Sequence, residues 1–259
     1  MKKIGFLIAL ISCTLSFGQN KSQKKTKTVH VFVALCDNIN QGIVPVPKLI
    51  GNGQDPKNNL YWGALYGVKN FLKNKSNDWV YKKMITSKNT NILESILFKH
   101  KTKNIYLLAE AYDGEKIKVC TEDFLLASNN NFKRRINYNE INLEFGGNSE
   151  LVAYIGHDGL MEFKVNLKYK QTPSKKIDAI ILACASKNYF QNEIIKSKAN
   201  PILWTTNLMA PEAYTLEAAL NSWVKKQKGI QIKEAASKAY NKYQKCGLRG
   251  AIRLFVTGF

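Results

Sequence analysis

Four short runs in this chain, Val29–Leu35 (VHVFVAL), Leu151–Ile155 (LVAYI), Ile177–Ala183 (IDAIILA) and Pro201–Thr206 (PILWTT), are apolar and nearly free of charge. A strand that is apolar on both faces has no solvent side, which is the pattern of central strands in a sheet covered by helices. The segments around them alternate. Leu60, Leu65, Val68, Phe71 and Leu72 fall at helical spacing and predict a helix over Asn58–Asn74. Trp79–Ile85 reads as strand, Asn91–Lys101 as helix, Asn104–Ala111 as strand and Thr121–Ser128 as helix. After a polar insertion at Asn129–Ser149, further helices are expected over Tyr189–Lys198, Pro211–Gln227 and Ile232–Lys245. Met161, Phe163, Val165, Leu167 and Tyr169 alternate with polar residues, a period of two that indicates strand where a crossover helix would otherwise stand. Alternating elements of this kind define the α/β class, here a three-layer α/β/α arrangement with a mostly parallel sheet.

The first residues have a different grammar. Lys2 and Lys3 precede an apolar run from Ile4 to Phe17 that closes on Ser16 and Gly18, and NKSQKKTKT follows. This is the pattern of a cleavable export signal, and the apolar run is shorter than the roughly 20 residues of a membrane-spanning helix. The expected organisation is a signal at 1–18, a basic polar linker at 19–28 and one domain over 29–259. The protein is then exported, periplasmic or secreted, with no integral membrane segment after cleavage. Leu10-Ile11-Ser12-Cys13 supplies a second reading, a lipid anchor at Cys13.

The chain carries 39 Lys and Arg against 19 Asp and Glu, a formal charge of +20. Only Arg134, Arg135, Arg249 and Arg253 are arginines, however, and phosphate and base-edge recognition favours the forked guanidinium. The scattered lysines read as solvated faces, so nucleic acid is not an expected partner. Four cysteines lie beyond the signal, too few for a disulfide scaffold in a domain of this size. With three histidines and no metal-ligand spacing, neither a metal nor a cofactor is expected. Lys133-Arg134-Arg135 reads either as an exposed charged loop or as a processing site.

In a parallel α/β sheet, ligands bind at the carboxyl ends of the strands. Two of those ends supply chemistry. His157 lies in Tyr154-Ile155-Gly156-His157-Asp158-Gly159, and Cys184 follows Ile180-Ile181-Leu182-Ala183. A thiol beside an imidazole is the minimum for nucleophilic acyl transfer, and backbone N–H groups at Gly159 and Cys184, with Gly156 permitting the turn, are candidates for an oxyanion site. Asp37, Asp113 and Thr205 stand at the same edge as candidates for a substrate pocket.

Gly156-His157 and Ala183-Cys184, each after an apolar strand, resemble the caspase-like cysteine peptidases, the group of caspases, metacaspases and the gingipain and clostripain types. Asn59-Leu60-Tyr61-Trp62-Gly63-Ala64 through Phe71-Leu72 is similar to the first helix of metacaspases. Asp158 stands where that pattern has glycine. The resemblance, over Val29 to about Gln227, implies a caspase-like fold with Cys184 and His157 as a catalytic dyad acting on a peptide or protein substrate. The alternative is an inactive module of that fold, binding a peptide or cell-envelope component.

Overall fold

A computed structural model describes residues 26–259, so the expected signal and the Cys13 anchor lie outside the described residues. β1 (Lys27–Ala34) opens the chain and runs parallel to β4 (Ile105–Tyr112) on one side and β7 (Leu151–Ile155) on the other. β8 (Asp178–Leu182) and β9 (Asn200–Thr205) extend the parallel set. β2 (Trp79–Met84) and β3 (Ile92–His100) add antiparallel strands beyond β4, and β10 (Phe255–Val256) adds one beyond β9. The result is one eight-stranded sheet in the order β10-β9-β8-β7-β1-β4-β3-β2.

The two-sided burial expected of β1 is visible residue by residue. Val29, Val31 and Val33 face one layer, with α1 (Val68–Asn74), α4 (Ala213–Val224) and α5 (Gly229–Gln244) packed on it. Phe32 and Ala34 face the other, covered by α2 (Ile117–Ser128) and α3 (Ser186–Ser197) through Phe124, Leu125, Phe190 and Ile194. Helices on both faces make the three layers. α6 (Leu248–Leu254) packs Ala251 and Leu254 into the first layer and leads directly into β10. No helix among the described residues is long and apolar enough to cross a membrane.

Four segments differ from the sequence expectation. Asn91–Lys101, expected as helix, is strand β3. Ile96 and Phe98 go to one layer and Leu97 to the opposite face, so the short apolar run is satisfied by two-sided burial beside β4. Of Asn58–Asn74, only Val68–Asn74 is helical. The Asn59 side chain bonds both backbone groups of Cys36 (3.1 and 2.8 Å) and accepts from the Tyr61 N–H, holding residues 58–67 in turns instead. The polar insertion is a hairpin, β5 (Lys133–Tyr138) and β6 (Ile141–Gly146). It covers the sheet through Ile136, Leu143 and Phe145. Lys133, Arg134 and Arg135 are thereby part of a ladder, Arg134 pairing with Glu110 and Arg135 with Glu144.

The crossover from β7 to β8 is the fourth: Met161–Tyr169, expected as strand, pairs with no other strand and keeps only its period of two. Phe163, Val165, Leu167 and Tyr169 lie half-buried against the α2–α3 layer, and the residues between them are exposed.

Candidate active site

β7 and β8 are adjacent, parallel and in register through Ile155 and Leu182, and the Gly156 N–H continues the ladder to Leu182 O at 3.3 Å. His157 and Cys184 therefore each stand two residues past the same register pair. Gly156 has φ +150°, and a Cβ there would lie 2.8 Å from Ala34 O and 2.9 Å from Ala34 Cβ, so only glycine fits against β1. On the other strand the turn falls on Ala185, a non-glycine residue at φ 47° that swings the chain from Cys184 into α3. Left-handed backbone at a residue with a Cβ is costly and is concentrated at functional sites.

His157 is buried, with Nε2 2.5 Å from Glu162 Oε1. Its carbonyl accepts from the Tyr154 hydroxyl (2.8 Å) and from the Gly159 N–H (3.1 Å), which fixes the backbone. A proton on Nε2 held by Glu162 leaves Nδ1 as the basic nitrogen. Glu162 also accepts the Gly42 N–H at 2.5 Å, tying the long loop after β1 to the histidine.

Cys184 Sγ exchanges hydrogen bonds with Met209, donating to its carbonyl (3.6 Å) and accepting from its N–H (3.4 Å). Burial raises its thiol above the ordinary value, the Met209 bond works the other way, and the Asp158 charge adds to the rise. The resting sulfur is thus a thiol, and no hydrogen bond joins it to His157. Asp158 is fully buried. Burial pushes its carboxyl up to about 7 against the N–H groups of Leu160 and Met161, with Glu162 adding to the rise. Its Oδ1 accepts from Leu160, and Oδ2 has no partner among the described residues.

The Gly159 N–H is committed to His157 O and the Gly156 N–H to Leu182 O, which leaves the Cys184 N–H as the candidate without an acceptor among the described residues. Asp37 is buried and saturated. Its carboxylate accepts from the N–H groups of Ile39 and Asn40, from the Asn40 amide and from Gln54. Burial pushes this carboxyl up, but the bonds from Asn40, Gln54 and the two N–H groups outweigh it and leave it below the usual range. Asp113 caps a short turn through Glu115 N and shares Gln54. Thr205 is fully buried, bonded to Ser186 and Ala183. These three side chains build the edge on which the site stands.

Comparison with known protein families, with curated proteins and with solved structures finds no match. Among the described residues no cluster of His, Cys, Asp and Glu is arranged to hold a metal. Cys36, Cys120, Cys184 and Cys246 are all free thiols, Cys246 exposed. A cavity of about 450 Å³ has a lining that includes Asn207, Tyr240, Cys246 and Arg253, and neither Cys184 nor His157 is part of it. Asn207 O accepts the Ala185 N–H at 2.9 Å, so the cavity wall and the turn after Cys184 are one unit. Sequence reasoning missed Glu162 and Met209. Glu162 follows His157 by five residues across a 3₁₀ turn at Gly159–Met161, and only the Asp158-Gly159 pair hinted that the chain folds back there.

Proposed function

We propose that the protein is an exported cysteine-dependent hydrolase of peptide or amide bonds, built on a caspase-like fold, with Cys184 as nucleophile and His157 as general base and acid. The observation that carries this reading is the placement of Gly156-His157 and Ala183-Cys184 past one register pair of two adjacent parallel strands, with a carboxylate on the histidine's far nitrogen. In the proposed reaction His157 Nδ1 takes the thiol proton as Sγ attacks the scissile carbonyl carbon. The oxyanion that forms faces the Cys184 N–H. The imidazolium then returns its proton to the leaving amine, and water hydrolyses the thioester. Substrate must draw the dyad together, because apo geometries of such pairs are often loose. A second reading, a module that binds a peptide without cutting it, draws on the missing Cys184–His157 hydrogen bond.

The test uses a Cys246→Ser background, so that the exposed Cys246 does not take up the label. There, Cys184→Ala should abolish both labelling by iodoacetamide-type probes and hydrolysis of a mixed peptide library. His157→Ala should keep the thiol and lose the hydrolysis. Unaltered turnover in Cys184→Ala would sink the assignment, and peptide binding without turnover in the parent would establish the second reading.

A further inference from the structure

A cavity of about 730 Å³ opens at the opposite, amino edge of the sheet, where β1, β4 and β8 begin and α4 ends. Its volume is in the range of small-molecule sites. Two carboxylates line it, and both are occupied. Glu150 accepts from the Thr28 N–H (2.9 Å) and pairs with Lys175, while Asp178 accepts from Asn200 (2.7 Å) and from the Trp223 indole (2.8 Å). Lys103, Lys176 and Lys226, all exposed, also line this space, and their ammonium groups have no ion-pair or hydrogen-bond partner among the described residues. Lys27 Nζ lies 5.7 Å from the centre of the Trp223 ring. Trp223 is thus anchored at its nitrogen by Asp178, with its ring forming a wall of the cavity. Lys226 is held there by a left-handed backbone, φ 60°.

We propose that this cavity binds a small anionic ester, a phosphoryl or sulfuryl group on a flat ring body, with the group among Lys103, Lys176 and Lys226 and the ring against Trp223. Five lysines line the cavity, Lys27, Lys103, Lys175, Lys176 and Lys226, against the two carboxylates of Glu150 and Asp178, which keep their charge, so the lining has a formal excess of three positive charges. A rigid indole adds an attraction for a ring that a bare ion does not feel. The site is at the far edge from Cys184 and is independent of any hydrolase activity.

Calorimetric titration of the full chain with 4-nitrophenyl phosphate, 4-nitrophenyl sulfate and inorganic phosphate tests this. Either ester should bind up to about tenfold more tightly than inorganic phosphate, and the better ester names the group. Trp223→Ala should erase that advantage, and Trp223→Phe, which keeps a ring, should retain most of it. The triple variant Lys103→Gln, Lys176→Gln, Lys226→Gln should weaken ester binding by about tenfold or more. A control pair on the edge strand β2, Lys82→Gln and Lys83→Gln, should leave it unchanged. Absence of saturable binding, equal affinity for the esters and inorganic phosphate, or an equal loss in the control pair would overturn the proposal.

Discussion

A histidine whose Nε2 is held by a carboxylate has one orientation and one tautomer, and at His157 that carboxylate is Glu162. In the proposed reaction this carboxylate does for the imidazole what the third group does in a nucleophile–base–orienter triad. Glu162→Gln should therefore lower kcat for peptide hydrolysis by roughly 10²-fold with little change in KM. Cys184 should keep its reactivity toward alkylating probes, and a drop in KM-side binding alone would show that Glu162 acts elsewhere. Asp158 gives a separate handle. Its carboxyl sits at about 7 in the folded protein against an ordinary value of 3.8. The native state then holds a proton that the unfolded chain releases, so stability declines as pH rises from about 4 to 7 and is level above that. The decline from this group is up to about 4 kcal/mol. Thermal unfolding of Asp158→Asn against the parent across that range should show a flatter profile; parallel profiles would refute it.

Elements with a continuous apolar run are the ones the sequence discloses. β1, β7, β8 and β9 were legible because their runs are short, nearly free of charge and rich in β-branched residues, which favours a central strand. Asn91–Lys101 misled because a short apolar run fits either period, and pairing with β4, a tertiary fact, decides it. Asn59 was invisible because its effect depends on Cys36, which is distant in sequence. The same limit applies at the site. His157 and Cys184 could be found from strand ends, whereas Glu162 and Met209 enter by loop geometry that no local pattern encodes. Two substitutions test the elements themselves. Gly156→Ala should destabilise by about 1–3 kcal/mol through strain at the β7 end, and an unchanged midpoint in urea would contradict the tight approach to Ala34. The β5–β6 hairpin is pinned by Glu110, fully buried and bonded to His30 (2.9 Å), Ser95 (2.9 Å) and Arg134 (3.2 Å). Burial works against its charge, but His30, Arg134 and Ser95 hold it below the usual carboxylate range. Glu110→Ala strands those partners and should cost about 3–5 kcal/mol in urea unfolding, a loss under 1 kcal/mol being the contrary result.

For the molecule as a whole, charge sets the behaviour. The sequence has a formal excess of +20, few ion pairs form among the described residues, and most of the described lysines are exposed. Self-repulsion opposes compactness and is screened within about 10 Å at 0.1 M salt. Raising NaCl from 20 to 200 mM should lift the melting temperature by a few degrees; a fall on adding salt would mean that the ion pairs outweigh the repulsion.

The ends of the sheet have a consequence of their own. An eight-stranded sheet has two open margins, and each is a template onto which a stray chain can add. On one side the two-residue β10, fed directly from α6, leaves almost no length to copy. On the other, β2 breaks register between Tyr81 and Lys83 and carries Lys82 and Lys83 along its rim. A newcomer would meet either a stub or a bent, charged border, and both oppose the addition of a further strand.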